Sequence, residues 1–185
     1  MRPPSLRKGG ARTAPASSAG GGPQVTEARW QALGMRITIS QASDFTSRVG
    51  EHLGWSEWHT VTQAEVDHFA EGTGNRAPIH TDPEFAKHTP YGTTIAFGIQ
   101  ILAMATMLLA DLWDLQVTGG VDVGTNKVRH LAPVPVGSRV RLGIRVAAAE
   151  AVEPNGVRVT KDLTFEVEGS ERPACVAEIV FIYSF

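Results

Sequence analysis

The sequence predicts an α+β domain in which one long helix covers the apolar face of an antiparallel sheet. Two observations predict it. From residue 93 or 94 to 113, Ile95, Ile99, Leu102, Thr106, Leu109 and Trp113 recur three or four apart, the spacing that places side chains on one helical face. After Gly119 the period falls to two, as in strands with one buried face. A helix layered on such a sheet makes an α+β arrangement rather than a doubly wound nucleotide-binding fold.

In chain order, residues 1–24 are rich in Pro, Gly, Ala and Ser, with basic residues at Arg2, Arg7, Lys8 and Arg12. Such a segment cannot offset its ordering entropy by burial, so a disordered tail is expected, with residues 25–185 forming one domain. No apolar region follows the basic residues and no run of 18 apolar residues occurs. A secretory leader and a membrane span are therefore not expected, and a cytoplasmic location is. A short helix over 27–32 and a strand over 35–39 are expected next, then a packed loop or strand over 50–58 carrying Trp55 and Trp58.

Thr62, Gln63, Ala64 and Glu65 form a capping box, in which hydroxyl and carboxylate satisfy each other's backbone amides. Val66, Phe69 and Ala70 give the following helix its apolar stripe, and Gly72 and Gly74 stop it. Asp82 before Pro83 reads as a second helix start, broken by Pro90, Tyr91 and Gly92. The long helix follows. Its apolar residues, broadened by Met104, Met107 and Leu108, run all round and require wrapping on most sides. Strands are expected over 121–130, 138–150, 156–168 and 173–185. Val140, Leu142, Ile144 and Val146 oppose Arg139, Arg141 and Arg145. Val157, Val159, Leu163, Phe165 and Val167 repeat that pattern, with an irregularity near Lys161.

The net charge of −2 is spread without a basic patch, which excludes an electrostatic case for nucleic acid or anionic membrane. The lone Cys175 lies in an alternating run and reads as a buried thiol rather than a nucleophile. His52, His59, His68, His88 and His130 fall in different elements without metal-ligand spacing, so no metal site is expected. His80 is the histidine with chemical promise: imidazole titrates near neutrality and can take or give a proton. The structural alternative is a ring that satisfies local backbone groups. Asn75, five residues upstream, can position a water or carbonyl but cannot accept a proton as a carboxylate does; equally, it can simply shape the turn after Gly74. Gly98 near a helix start either lets a ligand reach free N–H groups, which would stabilise an enolate-like oxygen, or packs helix against neighbour.

Several segments together resemble one family. They are Trp58 to Gln63, Phe69 to Gly74, Pro78-Ile-His-Thr-Asp-Pro83, Tyr91-Gly-Thr-Thr-Ile-Ala-Phe-Gly98, Gly124 to Arg129, and Ala132 to Arg139. From about residue 50 to 185 the chain resembles the MaoC-like hot-dog dehydratases, including (R)-specific enoyl-CoA hydratases, and most closely their NodN-like branch. The resemblance implies a hot-dog fold, a curved antiparallel sheet wrapped around a long central helix, and a homodimer. It also implies hydration of trans-2-enoyl thioesters to 3-hydroxyacyl thioesters. No cofactor is implied: coenzyme A or acyl carrier protein is the substrate's carrier, and the carrier protein is a candidate partner. The family's catalytic Asp and His fall on Asn75 and His80. Its following asparagine falls on Ala77, the histidine of its Ala-His-Gly motif falls on Phe97, and its oxyanion glycine is Gly98. Arg76, Phe97 and Tyr91 are candidate substrate contacts. The missing carboxylate leaves three readings: a hydratase or dehydratase, a related thioesterase or biosynthetic cyclase, or a noncatalytic acyl-thioester-binding or scaffold protein.

Overall fold

Thr62 opens its helix as the capping box requires: its hydroxyl accepts the Glu65 N–H at 3.3 Å, and the Glu65 carboxylate accepts the Thr62 N–H at 2.7 Å. The computed structural model describes residues 36–110 and 112–185. The expected tail over 1–24, the helix over 27–32 and the first residue of the strand over 35–39 lie outside the described residues. Within them the strands are β1 (Ile37–Ile39), β2 (His52–Trp55), β3 (His59–Thr60), β4 (Trp113–Leu115), β5 (Gly119–His130), β6 (Arg139–Val152), β7 (Gly156–Val167) and β8 (Cys175–Ser184). The helices are α1 (Ala42–Thr46), α2 (Gln63–Thr73), α3 (Pro78–Thr81), α4 (Pro83–Ala86), α5 (Gly98–Ala103) and α6 (Ala105–Leu109). Helix α2 ends at Gly74, whose φ of 70° is left-handed, a conformation that costs glycine little. The Asp82 carboxylate accepts from the Glu84 and Phe85 N–H groups and so caps α4.

The main sheet runs β2-β6-β7-β8-β5, with β3 also pairing β6. All of these pairings are antiparallel. Alternation reads out as expected along β6 and β7: Val140, Leu142, Ile144, Val146, Val157, Val159 and Phe165 are all 0% exposed. Arg141 and Arg145, on the opposite face, meet Glu166 and Asp162 directly across the β6–β7 ladder. The irregularity expected near Lys161 is present in the ladder, where β6 carries an extra residue at Ala147 between the Val146–Lys161 and Ala148–Thr160 pairs, and it is also chemical. Lys161 occupies a core-facing position between Val159 and Leu163 and is itself 0% exposed.

Two features of the expected architecture are overturned. The single long central helix is absent: residues 94–113 form two short helices, α5 and α6, separated at Met104. Its beginning is lost to other partners, since Thr94 O accepts the Val136 N–H, the Ala96 N–H goes to Val134 O, and Ile95 bridges Pro135. At Met104 the backbone flattens to ψ −12°, against about −42° in a regular α-helix. Trp113, expected on the helix, sits in β4 and pairs in parallel with Ile37. Of the expected stripe, Leu102, Leu109 and Trp113 are buried but Ile99 and Thr106 are exposed; the buried face runs instead through Ile101, Leu102, Ala105, Leu108 and Leu109. The all-round wrapping fails, because Ile99 and Met107 are 56% and 45% exposed. The sheet, in turn, is open and not strongly curled, with β2 and β5 as edges. What remains is a hot-dog-like α+β layering in which α5 and α6 supply apolar cover for an open sheet.

Candidate active site

Gln63, the first residue of α2, ties the His80 segment to the strand-like stretch before α5. Its Nε2 donates to the His80 carbonyl at 2.8 Å, and its Oε1 accepts the Thr94 hydroxyl. Two further bonds close the same seam. The Ile95 N–H donates to Ile79 O at 3.2 Å, and His80 Nδ1 lies 2.7 Å from Ile95 O. A carbonyl oxygen only accepts, so Nδ1 carries the hydrogen and, in the neutral ring, Nε2 holds the free lone pair. The imidazole stacks on Phe97 with centroids 3.8 Å apart and planes inclined by 28°. Phe69 backs Phe97 at 5.2 Å. The half-buried His80 is therefore fixed in tautomer and in plane.

In front of it lies a cavity of about 290 Å³ whose wall includes His80, Tyr91, Gly98, Ile101, His130 and Cys175. Gly98 is the first residue of α5, so its N–H has no acceptor within the helix. A Cβ at Gly98 would lie 2.9 Å from Cγ and Nδ1 of His130; glycine is what lets that ring approach the helix start. Burial pushes the Cys175 thiol up to about 11, which keeps it protonated at neutral pH and fits the buried-thiol reading.

The structure thus gathers His80, Gly98 and Tyr91 around one cavity and puts Phe97 behind His80. Asn75 and Arg76 are exposed and do not line it. Asn75 Oδ1 accepts the Ala77 N–H at 3.2 Å, shaping the turn that leads into α3. His130 is the residue that sequence reasoning misses, since its sequence position speaks only to metal ligation and excludes it. Its signal was its place at the end of a predicted strand, just before the Leu131 to Pro135 segment, but periodicity gives no clue to which helix such a terminus meets. Among the described residues, no group of three or more His, Cys, Asp or Glu is arranged to hold a metal. None of their helices is long and apolar enough to cross a membrane.

A family model described as MaoC like domain matches residues 44–168. The chain is 44% identical over 147 residues to 3-hydroxyacyl-thioester dehydratase Z of Mycobacterium tuberculosis, covering 79% of this chain and 97% of the relative. It is 35% identical over 146 residues to nodulation protein N of Rhizobium leguminosarum bv. viciae, covering 77% and 91%. The narrower expectation of a NodN-like branch gives way accordingly, since the mycobacterial dehydratase is the more similar of the two. Among solved structures, a monoamine oxidase regulatory protein from Archaeoglobus matches with a TM-score of 0.68 at 25% identity, covering 81% of this chain and 97% of that one. The (R)-hydratase of A. caviae involved in PHA biosynthesis shares the fold, with a TM-score of 0.59 at 24% identity and coverage of 72% and 94%.

Proposed function

Because the chain belongs to the MaoC-like family, we propose that it is an acyl-thioester hydratase/dehydratase interconverting trans-2-enoyl and 3-hydroxyacyl thioesters. The observation that carries this reading is the His80 ring, locked through Nδ1 with Nε2 left free, in the wall of a cavity shared with Gly98. In the hydration direction, Nε2 takes a proton from water as the water oxygen bonds C3. The C2–C3 electron pair moves toward the thioester oxygen, where the Gly98 N–H donates, and the imidazolium returns its proton to C2. Dehydration reverses these steps, so a single base handles both protons. Coenzyme A or an acyl carrier protein enters as the substrate's carrier. The test is turnover of a panel of trans-2-enoyl thioesters on both carriers; no 3-hydroxyacyl product on either carrier sinks the proposal.

Asn75 has a structural role in this reading: it shapes the turn that leads into α3. Asn75→Asp retains an oxygen for the Ala77 N–H but places its carboxylate outside the cavity wall, so kcat is expected to stay unchanged with the fold intact. Steady-state kinetics beside a thermal melt checks this, and a rise of about tenfold or more would show that a second base serves the site and overturn the single-base mechanism. Gly98→Ala pushes a methyl group against the His130 ring. Displacing a site by a fraction of an ångström is expected to lower kcat/KM about tenfold or more. The exposed His130 can yield, so Tm should move little; unaltered kcat/KM would remove Gly98 from the site.

The protein also acts, on this reading, as a homodimer joined through β5. That edge strand is exposed along nearly all of its length, with Val121 at 62% and Val123 at 45%, and an open edge of this kind pairs readily with a second chain. Sedimentation should show a dimer that Val121→Lys with Val123→Lys dissociates; a monomeric wild type refutes the assignment.

A further inference from the structure

A second cavity, of about 420 Å³, is lined, like the first, from the α5–α6 stretch and from β8. On the helices Ile101 lines the first cavity and Ala105, one turn on, lines the second. On the buried face of β8, Cys175 lines the first and Ile179 the second. Four strand residues separate these two positions by ~13 Å. The wall of the second cavity is aliphatic and aromatic except for Thr106, Lys161 and Tyr183.

Lys161 has no packing justification there. Its neighbours on the same face of β7 are Val159 and Leu163, and an aliphatic side chain would fill the position without taking an amine out of water. Nζ donates to Tyr183 Oη at 2.7 Å and faces the rings of Phe181, Trp113 and Tyr183 at 3.9, 5.0 and 5.1 Å. An ammonium has three N–H donors, and the phenol takes one. Among the described residues no carboxylate forms an ion pair with Lys161; Asp122 acts on it only at longer range. The aromatic faces temper the cation but accept no proton in a directed bond. A buried donor in the wall of an apolar cavity, bonded among the described residues only to a phenol, is what a carboxylate on a greasy chain would complete.

We propose that this cavity binds the carboxylate end of an aliphatic chain, with Lys161 Nζ and Tyr183 Oη receiving the carboxylate and the apolar wall receiving the chain. Resting on the dehydratase reading, this makes the favoured substrates acyl thioesters whose acyl chain ends in a second carboxylate. The reactive thioester lies at His80 and the distal carboxylate at Lys161.

Calorimetric titration of the full chain with decanoate and with decan-1-ol separates recognition from catalysis. The wild type is expected to bind decanoate at least tenfold tighter than the alcohol, and Lys161→Met to lose that preference. Tyr183→Phe, which removes a single oxygen, reduces it. Equal affinities in the wild type, no measurable decanoate binding, or a preference that survives Lys161→Met in a cooperatively melting variant each overturn the proposal. In turnover, kcat/KM for a thioester with a terminal carboxylate should exceed that for its terminal-methyl counterpart about tenfold, with the ratio near one in Lys161→Met. A ratio near one in the wild type, with the methyl substrate still turned over, rejects the assigned substrate class and leaves the dehydratase reading standing. If neither thioester is turned over, the dehydratase reading falls while the decanoate titration still decides the cavity.

Discussion

His80→Ala is expected to lower kcat by about 10²–10⁴-fold, the contribution of a positioned proton-transfer group and equivalent to about 3–5 kcal/mol of barrier. The ring earns that role through the bonds that hold it. Nδ1 is committed to Ile95 O at 2.7 Å, and one face lies against Phe97 at 3.8 Å, so the free nitrogen is presented without a rotamer search at each turnover. KM should change far less, because Ile95, Ile101, Leu131 and Val134 also line the cavity that would hold the acyl group. The measurement is hydration of a trans-2-enoyl thioester by wild type and variant, with a thermal melt to show that the Ile95 seam survives. His130→Ala is the informative companion, since His130 lines the same cavity. If His80→Ala keeps more than a tenth of kcat while His130→Ala loses it, the base has been misassigned.

Much of this is legible in the sequence alone. Local chemistry was the most legible: the Thr62–Glu65 capping box and the Asp82 cap involve partners two or three residues apart, so the sequence contains the whole interaction. Strands β6 and β7 were legible because one face is apolar without interruption apart from Lys161. The long helix was misread because its ends are decided by distant backbone. Thr94 and Ala96 spend their hydrogen bonds on Val136 and Val134, and Trp113 spends its pairing on β1, none of which leaves a mark on apolar spacing. The same limit hid half of the site. His80 stood out by its motif, whereas His130 reaches Gly98 only because β5 ends beside the start of α5. Asn75 was legible as a departure in sequence, yet its exposed position outside the cavity wall was not. Lys161 showed only as a break in alternation, and its meaning required the rings of Phe181, Trp113 and Tyr183 around it.

Replacing Lys161 with Met and Tyr183 with Phe together is expected to stabilise the fold by about 1–4 kcal/mol at pH 6, the range seen when buried charged groups give way to apolar ones. Burial pushes the Lys161 ammonium down to about 7, against an attractive contribution from Asp122. In the unfolded chain the amine returns to its ordinary range, near 10.5. Between those two values the unfolded state binds more protons than the folded one, so wild-type stability must rise with pH across that window. Below about 7 both states carry the proton, and the cost of burying the cation is present in full. Each pH unit inside the window contributes up to about 1.4 kcal/mol. The Cys175 thiol, pushed up to about 11 by burial, has its ordinary ionisation inside the same window and works in the opposite direction. Comparison with the double variant cancels it, since both chains retain Cys175. Urea denaturation at pH 6, 8 and 9.5 should therefore show the wild type gaining on the double variant as pH rises. The single Lys161→Met should fall short of the double by about 1–3 kcal/mol, because it leaves the Tyr183 hydroxyl buried without its partner. A stability difference between wild type and double variant that is the same at all three pH values would mean that Lys161 is not carried as a destabilised cation. If the difference does narrow with pH, decanoate should stabilise the wild type at pH 6 and not the double variant, since only a ligand bound to the folded state shifts the equilibrium.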